Sequence, residues 1–114
     1  MIASCLDLET ISTLQEIMPD EYQEIVALFI ETTPEQIQSM RTHYQQADRS
    51  SFVAVVHTVK GASGNIGASR LFEECERLED GMRSNVISDA SQHIDLIERL
   101  YHETRDEFLR ILSS

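Results

Sequence analysis

The chain has few residues that interrupt helices and no long apolar run. Its 114 residues include only four glycines and two prolines, so few positions mark strand ends. No sustained polar–apolar alternation occurs, and the periodicity is helical almost throughout. No apolar run approaches the roughly 20 residues of a membrane span, and a basic segment followed by an apolar one is missing at the N-terminus. We therefore expect a soluble, cytoplasmic helical protein.

Positive charge and cysteine are also scarce. The chain has nine basic and 20 acidic residues, which gives a net charge of −11. This balance argues against nucleic acid and anionic membranes as binding partners, because both are bound through clustered Lys and Arg. The negative charge would instead attract a partner with a basic rim. Cys5 and Cys75 are too few for a disulfide framework. Cys75 falls in an apolar helical stripe, which favours a buried free thiol.

The first half of the chain predicts helices with two interruptions. Asp7 is expected to cap a short first helix. Pro19-Asp20 is interpreted as a stop followed by a new N-cap, and Thr33-Pro34 predicts a kink or a restart. The residues expected to face inward are Leu8, Ile11, Leu14 and Met18, then Ile25, Leu28 and Phe29, and finally Ile37, Met40, Tyr44 and Ala47.

The second half predicts three further helices. One runs from about Ser51 to Ile66, ending at Gly67 as a left-handed residue, and another from about Ala68 to Arg83. A polar stretch from Ser84 to Asp89 precedes the last helix. Apolar steps of three and four, typical of an antiparallel bundle, relate Leu71, Cys75, Leu78 and Met82, and then Ile94, Ile97, Tyr101, Thr104, Phe108 and Ile111. The expected architecture is all-α, one domain over residues 1–114.

The single lysine, Lys60, follows His57 by three residues, and these positions share one helix face. At about 100° per residue, most apolar residues of this helix lie opposite His57. Those expected to form the core side are Phe52, Val55, Val56, Val59, Ala62, Ser63 and Ile66. We therefore place His57 on the face that the core leaves open.

The neighbours of His57 on that face are small. They are expected to be Val53, Ala54, Gly61 and Gly64. Each glycine in a helix interior costs about 1 kcal/mol relative to alanine. Close approach of a neighbouring helix would explain glycines, but these point away from the core. We interpret the four residues as a docking surface cleared for another protein.

A neutral imidazole is a nucleophile near neutral pH, and phosphoryl transfer depends on positioning and charge neutralisation. Lys60 would neutralise phosphoryl oxygens, while an acceptor must hold the second ring nitrogen. The sequence has no nucleotide-binding glycine loop and no clustered metal ligands. His43, His93 and His102 are scattered and are interpreted as ordinary surface or boundary residues. The chain has the features of half an active site.

The stretch from His57 to Glu79 resembles the histidine phosphotransfer (HPt) domain family of phosphorelays. The matching pattern is His57-x-x-Lys60-Gly61-x-Ser63-x-x-x-Gly67-Ala68, followed by Leu71, Cys75, Leu78 and Glu79. The resemblance implies an antiparallel four-helix bundle with a short extra N-terminal helix. It also implies that His57 accepts a phosphoryl group from a receiver-domain aspartate and passes it to another receiver, without autokinase activity.

The resemblance further implies the site and its partners. Lys60 matches the lysine beside the phosphoryl group, and Gly61 matches the glycine that leaves the histidine accessible. Glu79 matches a position that orients the imidazole, and Arg83 would add a second positive charge. The partners would be receiver domains of response regulators or hybrid sensor histidine kinases. The receiver would supply Mg²⁺, so no cofactor of the chain's own is expected.

Three alternatives stay open at this point. Glu79 and Arg83 could form a solvated i, i+4 pair, worth about 0.3–0.5 kcal/mol. The chain could dock receivers without accepting phosphate, although such a function needs neither His57 nor Lys60. A metal-binding bundle ranks last, because His57 lacks a Glu-x-x-His partner pattern. Met1 and the compact length favour a free-standing protein, and we expect a monomer.

Overall fold

The computed structural model describes residues 4–112. This part of the chain consists of five α-helices and contains no strand. The helices are α1 (Leu8–Ile17), α2 (Pro19–Gln45), α3 (Arg49–Ile66), α4 (Ser69–Arg83) and α5 (Ser91–Leu112). The all-α prediction is therefore confirmed. The ends of the expected domain, residues 1–3 and 113–114, lie outside the described residues, and its extent over 1–114 stays a prediction.

Helices α2 to α5 form a closed four-helix bundle. Each packs against the next, and α5 packs back against α2, while α1 lies against α2 and α3. The links between consecutive bundle helices are short, so neighbouring helices run antiparallel. The expected antiparallel bundle with an extra N-terminal helix is confirmed.

The core takes side chains from every helix, and most of the expected inward residues are buried. Those confirmed in α3, α4 and α5 include Phe52, Val56, Val59, Ile66, Leu71, Cys75, Leu78, Met82, Ile94, Ile97, Tyr101 and Phe108. Burial also raises the pKa of the Cys75 thiol to about 12. Cys5 and Cys75 are free and buried, as expected for Cys75.

Four residues expected inside are outside. Leu8, Ile25 and Leu28 are exposed hydrophobic residues, and Ala47 is exposed in the turn after α2 with a positive φ of 57°. The inward face of α2 instead carries Tyr22, Val26, Phe29, Thr33, Ile37 and Met40. Phe29, Ile37 and Met40 are buried as predicted, whereas Ile25 and Leu28 are not, because apolar residues at 25, 26, 28 and 29 allow two faces to be drawn.

The new N-cap predicted at Pro19-Asp20 and the restart predicted at Thr33-Pro34 are wrong, while the kink given as the alternative at Pro34 stays a prediction. The cap is Met18, and Pro19 is the first helical residue, where its missing amide hydrogen costs nothing. The helix continues through Pro34. Proline cannot donate to the carbonyl four residues earlier, that of Ile30, but Tyr101 Oη of α5 donates to it at 2.5 Å. A tertiary contact thus replaces the lost helical hydrogen bond.

The α3–α4 junction fixes the relative position of the two helices that carry the candidate site. Asp48 caps α3 by accepting from the Ser51 amide, and Gly67 ends it in the left-handed conformation at φ 85°. The backbone amide of Asp7 donates to the Gly67 carbonyl, and the amide of Arg70 donates to the Cys5 carbonyl. The N-terminal segment therefore fixes the point from which α3 and α4 run side by side.

Candidate functional site

His57 lies on the open face of α3, as predicted. Its side chain is 61% exposed, and its Nδ1 lies 2.9 Å from Glu79 Oε2 on α4. Because α3 and α4 are neighbours joined by a two-residue link, a side chain from the middle of one reaches the middle of the other. The imidazole is therefore bound through one nitrogen and open at the other.

Glu79 is the centre of the site. Its side chain is only 4% exposed, and both of its oxygens meet positively charged groups. Arg83 donates to Oε2 from Nε at 3.3 Å and from Nη2 at 2.9 Å. The Nζ of Lys60 lies 2.6 Å from Oε1. The interpretation of Glu79 and Arg83 as a solvated pair is wrong, since the carboxylate is buried and has three partners.

The Lys60 contact is an ion pair without the angles of a hydrogen bond. Within residues 4–112, Oε1 of Glu79 accepts no hydrogen bond of good geometry. The short distance between opposite charges still makes the attraction strong, and it raises the pKa of Lys60. Lys60 therefore stays protonated and lies on Glu79, rather than projecting freely beside His57 Nε2.

The charge of Glu79 decides the tautomer of His57. Burial alone would raise the pKa of Glu79, but its contacts with Lys60, Arg83 and His57 outweigh burial and hold that pKa at about 2. An ionised carboxylate only accepts hydrogen bonds, so Nδ1 of a neutral His57 must carry the proton. The lone pair then belongs to Nε2, which has no bonding partner among the described residues.

The four predicted docking residues do not share one environment. Ala54 and Gly61 are exposed, and a Cβ added at Gly61 would meet nothing within 4 Å. Gly64 is exposed, but a Cβ there would lie 3.1 Å from the ring of Phe72, so this glycine also serves close packing with α4. The placement of Val53 on the open face is wrong, because Val53 is buried in the core.

The other histidines form no part of this site. His93 is a boundary residue, as predicted, and its Nδ1 lies 3.4 Å from buried Glu74, which also accepts from Arg77. These three residues line a cleft of about 550 Å³ between α4 and α5. A single helix pattern cannot reveal this contact, because it joins two helices.

Residues 4–112 contain neither a metal-binding cluster nor a membrane-spanning helix. Between residues 4 and 112, no three His, Cys, Asp or Glu side chains gather closely enough to hold a metal ion. In that same part of the chain, the helices lack the combination of length and apolar character needed to cross a bilayer.

Known proteins share the fold of this chain. The family model "Hpt domain" matches residues 24–107. The crystal structure of histidine-containing phosphotransfer protein B (HptB) from Pseudomonas aeruginosa PAO1 is similar at a TM-score of 0.87 and 30% identity, covering 96% of this chain and 95% of that one. A search of curated protein sequences gave no match.

A second solved structure shows the same fold at lower identity. It is the HPT domain of a sensor hybrid histidine kinase from Shewanella, with a TM-score of 0.76 and 16% identity over 96% of this chain and 94% of that one. The family match spans most of the bundle and includes His57, Lys60 and Glu79. The chain therefore belongs to the Hpt domain family.

Proposed function

We propose that this chain is the histidine carrier of a two-component phosphorelay. His57 Nε2 accepts a phosphoryl group from the aspartyl phosphate of one receiver domain and passes it to the aspartate of another. The single observation that carries the proposal is the contact between His57 Nδ1 and buried, ionised Glu79, which leaves an exposed nitrogen lone pair.

The acceptance step balances without a separate acid or base. The Nε2 lone pair attacks phosphorus, the bond from phosphorus to the aspartyl oxygen breaks, and the receiver's aspartate leaves as a carboxylate. Nδ1 keeps its proton throughout, so the ring becomes positively charged. Glu79, 2.9 Å away, stabilises that charge through the hydrogen bond it already accepts. The donation step is the reverse, with a different receiver.

Lys60 and Arg83 supply positive charge next to the incoming phosphoryl group. Both contact Glu79, so the carboxylate and these two cations carry a net charge of +1 beside a neutral imidazole. A dianionic phosphoryl group on a cationic ring adds −1 and brings the site to neutrality. We propose that Lys60 moves from Glu79 to the phosphoryl oxygens once His57 is loaded, since a dianion attracts the ammonium more strongly.

The partners in this proposal are receiver domains of response regulators or hybrid sensor histidine kinases. The receiver supplies the aspartate and the Mg²⁺ that neutralises phosphoryl charge, and it docks across Ala54 and Gly61. The chain thus acts as a phosphoryl carrier that forms half of a shared active site. The cytoplasmic location and the monomeric state expected from the sequence stay predictions.

Transfer from purified receiver domains tests this proposal. Each receiver is phosphorylated on its aspartate and mixed with the wild type, His57→Gln or His102→Gln, with and without Mg²⁺. His102 is a matched control, because it is an exposed histidine distant in sequence from the site. We expect acid-labile label on the wild type and on His102→Gln, and none on His57→Gln. A fall of less than tenfold in His57→Gln would contradict the proposal.

A further inference from the structure

The α4 helix carries a second buried glutamate that contacts a histidine and an arginine. Glu74 lies five residues before Glu79, about 140° around the helix, so it faces α5 while Glu79 faces α3. The side chain of Glu74 is only 6% exposed. Its Oε1 lies 3.4 Å from His93 Nδ1, and its Oε2 accepts from Arg77 Nη1 at 2.8 Å. This arrangement repeats the one at the candidate functional site.

The contact with Glu74 leaves the other nitrogen of His93 without a partner. An ionised carboxylate only accepts hydrogen bonds, so a neutral His93 carries its proton on Nδ1. The lone pair then belongs to Nε2, which has no bonding partner between residues 4 and 112. The side chain of His93 is 31% exposed, compared with 61% for His57. His93 is therefore a second imidazole held in the nucleophilic tautomer.

The cleft between α4 and α5 has the size and the charge to receive a small anion. Its volume is about 550 Å³, and its lining includes Arg77 and Arg99. Arg99 is exposed and makes no ion pair or hydrogen bond within the described residues. Asp95 also lines the cleft, but Arg41 neutralises it at 3.0 Å. Glu74 and the two lining arginines then leave a net charge of +1, in a chain whose net charge is −11.

The surroundings of His93 favour a small donor over a protein donor. A receiver domain must bring an aspartyl phosphate up to the imidazole, and His57 lies on an open helix face with exposed Ala54 and Gly61 beside it. His93 instead lines a cleft between two helices and is half as exposed. A small molecule fits into such a cleft, whereas the active site of a folded domain does not.

We propose that His93 is a second phosphoryl-accepting histidine, modified by small phosphoryl donors of the phosphoramidate or acyl phosphate class. The Nε2 lone pair attacks phosphorus, and the bond from phosphorus to the donor's nitrogen or oxygen breaks. The bonding electrons leave with ammonia from a phosphoramidate, or with a carboxylate from an acyl phosphate. Nδ1 keeps its proton, and Glu74 stabilises the positive ring through the hydrogen bond that it accepts. Arg77 and Arg99 supply positive charge for the phosphoryl oxygens.

Labelling by phosphoramidate in a His57→Gln background tests this proposal. The background removes the carrier histidine, and NMR of the ¹⁵N-labelled protein then follows the other three histidines separately. His102 is the matched control, because it is more exposed than His93 but has no carboxylate partner in the described part of the chain. Two further variants change the cleft. Glu74→Gln removes the carboxylate, and Arg99→Gln removes a positive charge without altering a buried group.

We expect Nε2 of His93 to be labelled at least about tenfold faster than His102, which corresponds to one charge-assisted hydrogen bond. Accessibility alone would give the opposite order. Glu74→Gln should remove most of this advantage, and Arg99→Gln should reduce it several-fold, while the rate at His102 stays the same in both. A phosphorylated receiver should leave His93 unlabelled.

Three results would overturn the proposal. They are a smaller ratio between His93 and His102, labelling of His93 by a receiver, and a ratio that neither cleft variant lowers. If Glu74→Gln does not fold, an unchanged ratio in Arg99→Gln is sufficient to overturn it. A failure of small donors to label His93 leaves the proposed function intact, because that function concerns His57 and receivers.

Discussion

Replacing Glu79 by glutamine tests the electrostatic account of the site. The amide keeps the shape of the side chain and an oxygen that can accept from His57 Nδ1, but it removes the negative charge. Lys60 and Arg83 then lose the carboxylate that each of them contacts. We expect the fold to persist, because Lys60 can turn to solvent from its position at the edge of the core.

The loss of stability expected in Glu79→Gln can be estimated from the lowered pKa of Glu79. A decrease from 4.5 to about 2 corresponds to an upper limit of about 3 kcal/mol of stabilisation. The side chains of His57 and Arg83 are each 61% exposed, so water screens part of that attraction. We therefore expect Glu79→Gln to lower the free energy of unfolding by about 1–2 kcal/mol at pH 7.

The stabilisation provided by Glu79 should decrease as the pH falls. A depressed folded-state pKa gives stabilisation that is complete above the unfolded value of 4.5 and is lost as pH falls toward about 2. Urea denaturation at pH 7, 5 and 3 should show a difference between wild type and Glu79→Gln that is constant from pH 7 to 5 and smaller at pH 3. Glu73→Gln, which removes an exposed carboxylate without a partner, should change stability by less than about 0.5 kcal/mol. A difference that is absent at pH 7, or unchanged at pH 3, would refute the reasoning.

Three further predictions concern backbone and packing, each measured by urea denaturation. Gly61→Ala should raise the free energy of unfolding by about 1 kcal/mol, because an added Cβ there meets nothing. Gly64→Ala should raise it by clearly less, because its Cβ would meet the ring of Phe72, and equal gains would contradict this. Tyr101→Phe should cost about 1–1.5 kcal/mol, because the Ile30 carbonyl loses its donor, and an unchanged stability would mean that water replaces it. Gly67→Ala should cost about 1–2 kcal/mol at its φ of 85°, and a neutral result would contradict the left-handed assignment.

The sequence was sufficient for the bundle and for the face that His57 occupies. Apolar spacing in α4 and α5 leaves one plausible inward stripe, and its residues are buried except for Ile111, which is partly buried. The layout of α3 correctly separated His57 from Val56 and Val59. The same layout was wrong for Val53. A helix pattern shows that Val53 lies at the edge of the inward face, but it does not show whether a neighbouring helix covers that edge. Burial of Val53 depends on the packed bundle.

Contacts between helices could not be predicted from periodicity. Nothing in the spacing of Glu79 indicates that it meets His57; the family resemblance supplied that expectation, and the structure shows the contact at 2.9 Å. Continuation of α2 through Pro34 likewise depends on Tyr101, which lies 67 residues later in the chain. Local sequence rules predict a kink or a restart at Thr33-Pro34, and the distant Tyr101 hydroxyl allows the helix to continue without a restart.

The most direct test of the central claim is to identify the nitrogen that carries the phosphoryl group. Proton–nitrogen correlation NMR of the ¹⁵N-labelled protein, before and after phosphorylation by a receiver, distinguishes the two ring nitrogens of His57. We predict phosphorus on Nε2 and a retained, hydrogen-bonded proton on Nδ1. Phosphorylation at Nδ1, or on any other residue, would contradict the account, because Glu79 could not then hold the imidazole as described.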